Sequence, residues 1–170
     1  MKILATLDGT PFAESVLPVL EKMTALPNAE VTLLAVAHEA ESGVRRRGPR
    51  RPVLVTDLMG RAAPMIVQQP GAEYVENRGQ AIERRMAQLE DYLSGVAQRL
   101  PNGTHVHVEV DCADNPADMI IEHAREEGPD VIVMATHSRS GLAHALTGST
   151  TEQVIRSGVA PVLVVHPARG

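Results

Sequence analysis

The sequence predicts an α/β fold: a doubly wound three-layer sandwich around a parallel sheet. Three observations predict it. Apolar residues gather in five short runs, at Ile3, Leu4, Ala5 and Leu7 and then over 31–37, 106–110, 131–134 and 162–165. Several of these runs are apolar at consecutive positions, which is what a strand covered by helices on both faces requires. Helical patterns lie between the runs, so the order reads βαβ, an insert, then αβαβαβ. Such alternation packs as a parallel sheet with right-handed crossovers.

Each element has its own local reason. The first strand runs into Asp8-Gly9-Thr10, and a helix is expected from Thr10 as N-cap with Pro11 in its first turn. That helix carries Val16, Leu17, Leu20 and Met23 inward, and Pro18 predicts a kink in it. The second strand covers 31–37. From about 39 to 77 the alternation breaks: Arg45, Arg46, Arg47, Arg50 and Arg51 crowd together beside Pro49 and Pro52. Connections of that length are functional or disordered segments, although 52–59 is apolar enough for a short strand or helix. The single domain, 1–170, therefore carries an Arg/Pro-rich insertion.

After the insertion, Ile82, Met86, Leu89, Leu93, Val96 and Leu100 are spaced 4, 3, 4, 3 and 4, one buried stripe on a long helix. The run THVHVEV alternates more cleanly than the others, which places it toward a sheet edge. Asn115 as N-cap with Pro116 after it opens a helix that buries Ile120, Ile121 and Ala124. Ser149-Thr150-Thr151-Glu152 reads as a capping box ahead of Val154 and Ile155. The fifth strand, 161–166, is apolar on both faces.

Composition narrows the function. The chain has 170 residues and 18.2 kDa, 44% hydrophobic and 22% charged, the make-up of an ordinary globular domain. A net charge of −5 and only three aromatic residues, Phe12, Tyr74 and Tyr92, argue against a specific nucleic-acid platform. Cys112 stands alone, so neither an internal disulfide nor a Cys-x-x-Cys zinc site is available, and a reducing cytoplasm is the expected compartment. No apolar run reaches the ~20 residues that span a bilayer, and the N-terminus shows no signal-peptide pattern, so no membrane partner is expected. The lysines are Lys2 and Lys22 alone, which excludes a Walker-type loop. Gly-x-Ser-x-Gly and Gly-x-Gly-x-x-Gly are absent, which removes an α/β-hydrolase nucleophile and a dinucleotide dehydrogenase.

In an open α/β sheet, ligands bind beyond the carboxyl ends of the strands where the winding reverses. The residues expected there are Asp8-Gly9-Thr10 after the first strand and the stretch 134–149 after the fourth. The latter ends in Gly148-Ser149 at a helix start, where free amides and the helix dipole favour an anion. Several residues admit two readings. Asp8 is a turn-former or a ligand contact. Ser149 is an N-cap or a phosphate contact. Arg139 is a solvated charge or a phosphate partner, and His137 and His144 are exposed loop residues or proton donors. His105 and His107 share one strand face and are structural or the start of a metal site, with no third ligand indicated by spacing. The arginine cluster reads first as a solvated insertion, then as a partner-binding or polyanion-binding loop.

KILATLDGT at the start, VTLLAVAHE in the second strand and PDVIVMATHSRSGLAHALTGSTTEQVIRSGVAPVLVV at the end together resemble the universal stress protein family. The resemblance implies the adenine nucleotide alpha hydrolase-like fold with a five-stranded sheet of order 3-2-1-4-5. It also implies a cytoplasmic stress-response regulator that binds an adenine nucleotide, ATP foremost, with magnesium accompanying the triphosphate and AMP or cyclic AMP as other ligands. The family motif Gly-x2-Gly-x9-Gly-[Ser/Thr] falls here on Ala135, Ser138, Gly148 and Ser149, so the first two glycines are replaced. The remaining implied contacts are Thr6, Asp8, Val36 through its backbone, Met134 and Thr150. No activated base is indicated, and ATP hydrolysis is at most slow. The resemblance further implies a homodimer through 161–166 and protein partners that respond to the loop around 135–148. A nucleotide-independent interaction module of the same fold is the alternative.

Overall fold

The computed structural model describes residues 1–38, 53–56, 62–65, 78–136 and 149–166. In chain order the elements are β1 (Lys2–Thr6), a 3-10 turn (Ala13–Val16), α1 (Leu17–Thr24), β2 (Glu30–His38), β3 (Val53–Thr56), β4 (Ala62–Met65), α2 (Arg78–Ala97), β5 (His105–Ala113), α3 (Pro116–Glu127), β6 (Val131–Ala135), α4 (Ser149–Ser157) and β7 (Val162–Val165). Five strands form one sheet of order β5-β2-β1-β6-β7, every neighbouring pair parallel. Counting only these five, the order is 3-2-1-4-5, as the resemblance implied. The short strand or helix allowed over 52–59 is a strand, β3. It pairs antiparallel with β4 as a separate two-stranded unit inside the insertion, whose arginine cluster lies outside the described residues.

Two cores flank the sheet because strand side chains alternate in direction. Ile3, Ala5, Val31, Leu33, Ala35 and Val133 face one side and pack with Leu20 of α1 and Leu89, Leu93 and Val96 of α2. Leu4, Leu34, Ile132 and Met134 face the other and pack with Ile120, Ile121 and Ala124 of α3 and Val154 of α4. The stripe expected on the long helix is therefore the one buried, with Met86 partly covered against the same core. The alternating run became β5, an edge strand.

The first helix differs from expectation. It does not begin at Thr10 and kink at Pro18; a 3-10 turn occupies 13–16 and the α-helix starts at Leu17 with Pro18 in its first turn. Proline has no N–H to give to the carbonyl four residues back. The Glu14 carbonyl is taken instead by the Leu17 amide, three residues on, which tightens the turn into 3-10 geometry. Thr10 still serves as a local cap, its Oγ1 accepting from the Ala13 amide at 3.2 Å. Burial foremost, with the nearby Glu14 and Asp8 carboxylates, pushes the Tyr92 phenol on α2 up to about 12.

Helix α3 starts as the sequence implies. Asn115 Oδ1 accepts from the Ala117 amide at 3.2 Å, Pro116 follows, and Gly128 closes the helix in a left-handed conformation with φ of 59°. The Asn115 amide nitrogen also donates to Asp118 at 2.8 Å and to Gln153 at 3.1 Å, tying α3 to α4. On α4 the Glu152 carboxylate reaches forward to Arg156 at 2.6 Å, and the Ser149 side chain of the expected capping box lies outside the described residues. Val154 is fully buried as expected, but Ile155 is 42% exposed, because only one residue of that pair can face the sheet. Among the described residues no helix is long and apolar enough to cross a membrane.

Asn115→Ala should lower stability by about 1 kcal/mol or somewhat more, since it removes an N-cap and the tie to Gln153 together; chemical denaturation measures it. Gly9 has φ of +82°, and a Cβ there would lie 3.2 Å from Leu89 Cδ2. Gly9→Ala should therefore cost about 1–3 kcal/mol in the same measurement, the range for a side chain forced into such a conformation.

Candidate functional site

The sheet winds outward from β1 in both directions, to β2 and β5 on one side and to β6 and β7 on the other. Chain therefore leaves the carboxyl ends of β1 and β6 in opposite senses and opens a crevice between them. A cleft of about 450 Å³ occupies this place, within the range of sites that enclose a small molecule.

Its apolar wall comes from the sheet and from α3: Val36 at the end of β2, Met134 at the end of β6 and Ile120. Met134 is only 3% exposed and belongs to the core on the α3 side, so its body is structural and one surface of it faces the cleft. Opposite this wall, Thr6, Asp8 and Thr10 contribute hydroxyls and a carboxylate from the strand end and the turn after it. Thr150 and Thr151 enter from the first turn of α4, where helix amides and the positive end of the dipole are directed.

The turn after β1 is held from several sides. Asp8 Oδ1 accepts from the Thr10 amide at 2.8 Å and from the Thr10 hydroxyl at 2.6 Å, which is the turn-forming reading of this residue. The same carboxylate lies exposed at the cleft rim, available to a ligand as well. From α2, Arg85 Nη2 donates to the Asp8 carbonyl at 3.0 Å and also lines the cleft. Close packing of Leu89 behind Gly9 leaves this segment little room to move.

Of the residues expected at a ligand site, the structure brings together Thr6, Asp8, Val36, Met134, Ala135 and Thr150 around one cleft. The backbone of Ser149 begins α4 beside them. Ser138 and Gly148, with His137, Arg139 and His144, lie outside the described residues. Sequence reasoning missed Phe12, His38 and Arg85, all of which line the cleft. Phe12 is the chain's single phenylalanine and follows the Asp8 turn, and Arg85 sits one helical turn before Leu89 at the flank of the buried stripe. Both carried a signal of position, but only the folded arrangement aims them at the same space. The wall is apolar and wide enough for a flat ring, and the rim carries hydroxyls, a carboxylate, an imidazole and a guanidinium. That combination suits a ligand with an aromatic body and a polar, anionic end.

His105 and His107 are both exposed on β5, away from this cleft.

The profile of the Universal stress protein family matches residues 1–166. Universal stress protein MJ0577 of Methanocaldococcus jannaschii is 28% identical over 164 residues, spanning 96% of this chain and 93% of its own length. The solved structure of MJ0577 is similar with a TM-score of 0.64 at 24% identity, covering 99% of this chain and 97% of that one. A universal stress protein solved in complex with cAMP matches with a TM-score of 0.55 at 17% identity, covering 98% and 96% of the two chains. One from Archaeoglobus fulgidus in complex with dAMP gives a TM-score of 0.55 at 16% identity, covering 97% of each. With the profile match running nearly end to end over a sheet of the matching order, the chain belongs to the universal stress protein family.

Proposed function

We propose that this chain is a cytoplasmic stress-response regulator that binds an adenine nucleotide, ATP in the first instance, in the cleft between β1 and β6. The observation that carries this reading is the apposition of an apolar wall, Val36 and Met134, to a polar rim, Thr6 and Asp8, with the start of α4 at one end. The base would lie against the wall, the ribose hydroxyls would meet Asp8, and the phosphates would extend toward the α4 amides. Solved relatives in complex with cAMP and dAMP support an adenine nucleotide as the class of ligand. The regulatory output is a shift in population among conformations around the cleft, to which partner proteins respond.

A second reading concerns the ligand's size. Ala135 lines the cleft with a methyl group at a position where the family motif has glycine, and a Cβ restricts the backbone and keeps a phosphate chain further away. Cyclic AMP or AMP, with a single phosphate, needs less of that space than ATP does.

We also propose a homodimer through β7. Among the described residues this strand pairs with β6 alone, and its Leu163 is 39% exposed, an unusual position for a large apolar side chain on an isolated edge.

Calorimetric titration of the full chain with ATP and magnesium, AMP and cyclic AMP ranks the ligands. One-to-one binding of at least one of them is expected, and Val36→Phe, which fills the cleft, should weaken it by about tenfold or more. If none of the three produces heat at millimolar concentration, the chain is a nucleotide-independent interaction module. Sedimentation at micromolar concentration should give a dimer that Leu163→Glu converts to monomer; a monomeric unsubstituted chain rejects the β7 interface.

A further inference from the structure

The two faces of β5 have different tasks. Val106, Val108, Val110 and Cys112 pack toward the α2 layer. The intervening residues point the other way, toward α3, and there the strand is polar. His123 of α3 stands between two of them: its Nδ1 lies 3.1 Å from Glu109 Oε2 and its Nε2 lies 2.5 Å from Asp111 Oδ2. Glu127, four residues further along α3, adds another carboxylate. One ligand atom from each of Glu109, His123 and Glu127 lies within 4.8 Å of the other two. Thr32 of β2 donates to Glu127 Oε2 at 3.1 Å and fixes that carboxylate from the sheet side.

Glu109 and Glu127 also line a cavity of about 280 Å³ that opens at the amino ends of β1 and β2, at the far end of the sheet from the nucleotide cleft. The carboxyl end of α3 adds the negative pole of its dipole to this place. Lys2 Nζ lies 3.5 Å from the Glu127 carbonyl at that helix end. Burial first, then the proximity of Glu127, raises the Glu109 carboxyl above its ordinary range. Burial works against a charged His123, yet the Asp111 hydrogen bond and the surrounding carboxylates hold it above its ordinary value. The cluster is richer in negative charge than in cations to meet it.

We propose that Glu109, His123 and Glu127 form a binding site for a divalent transition metal, with zinc the best match. Nε2–H of His123 donates to Asp111, so that the Nδ1 lone pair, once free of a proton, is directed at Glu109 and Glu127. This carboxylate–imidazole–metal relay fixes both tautomer and ring orientation. One nitrogen and two carboxylate oxygens suit zinc, whereas magnesium and calcium favour all-oxygen sets. Zinc holds such ligands at about 2.0–2.2 Å, and rotation of the two glutamate side chains about the fixed imidazole closes the distances. Three protein ligands leave a fourth position facing the cavity, which water fills. The metal would bridge β5 to α3 through these side chains, and any proton on Nδ1 would leave to solvent as it binds.

The test is calorimetric titration of the nucleotide-free full chain with zinc chloride. One saturable site is expected, not displaced by excess magnesium. His123→Ala and Glu127→Gln should each weaken it by about tenfold or more, and Asp111→Asn, which alters only the orienting group, by about 10- to 100-fold. A double His105→Ala, His107→Ala variant, which removes the exposed histidines of the same strand, should bind as the unsubstituted chain does. Circular dichroism of each metal-free variant establishes that it is folded. Should His123→Ala unfold, the imidazole nitrogen resonances of the unsubstituted chain serve: zinc moves the His123 Nδ1 signal. The proposal is overturned if zinc does not bind, if His123→Ala and Glu127→Gln bind it unchanged, if binding is lost with His105 and His107, or if the His123 resonance stays in place.

Discussion

Strand β1 has no water on either face, and this constrains everything around it. Ile3, Leu4 and Ala5 are all 1% exposed or less, so neither side of the strand can be solvated. Its amides and carbonyls must be met by neighbours in the sheet, and β2 and β6 meet them in parallel register from Lys2 to Thr6 on one side and Ile3 to Ala5 on the other. Parallel neighbours demand crossovers, and crossovers on both sides of a central strand demand a reversal of winding. The cleft is the geometric result of that reversal. The same requirement that buries the centre of the sheet creates an opening at its carboxyl end.

Much of this was legible in the chain because burial on both faces leaves a plain mark. Runs such as VIVM and VTLLAV are apolar at successive positions, and the helix stripe from Met86 to Leu100 repeats with the helical period. Local chemistry was legible where one side chain decides the outcome, as at Asn115 with Pro116. It failed where the outcome turns on competition between neighbouring hydrogen bonds. Pro18 could be seen to remove a donor, but whether the chain kinks or tightens depends on which amide claims the Glu14 carbonyl.

The site divides along the same line. Thr6, Asp8, Val36, Met134 and Thr150 are at strand ends or helix starts, so the topology that predicts the sheet also predicts their meeting. Arg85 and Phe12 come from a helix flank and a turn, and their approach depends on how α2 and the Asp8 segment lie across the sheet. The His123 cluster was half visible. His105 and His107 marked a polar strand face, but the residues that converge are the next two on that face, Glu109 and Asp111, joined by a His-x3-Glu pair on α3. A spacing of four on a helix signals one face; it does not say which strand that face will meet.

The long insertion leaves the sheet at His38 and rejoins the fold at Arg78, one and a half to two turns of helix before Arg85. His38 and Arg85 both border the cleft. The chain departs beside the opening and returns on the helix that carries Arg85 back to it. The connection is thus anchored at the mouth of the opening, where its two flanks, His38 and the helix of Arg85, border whatever molecule is held there.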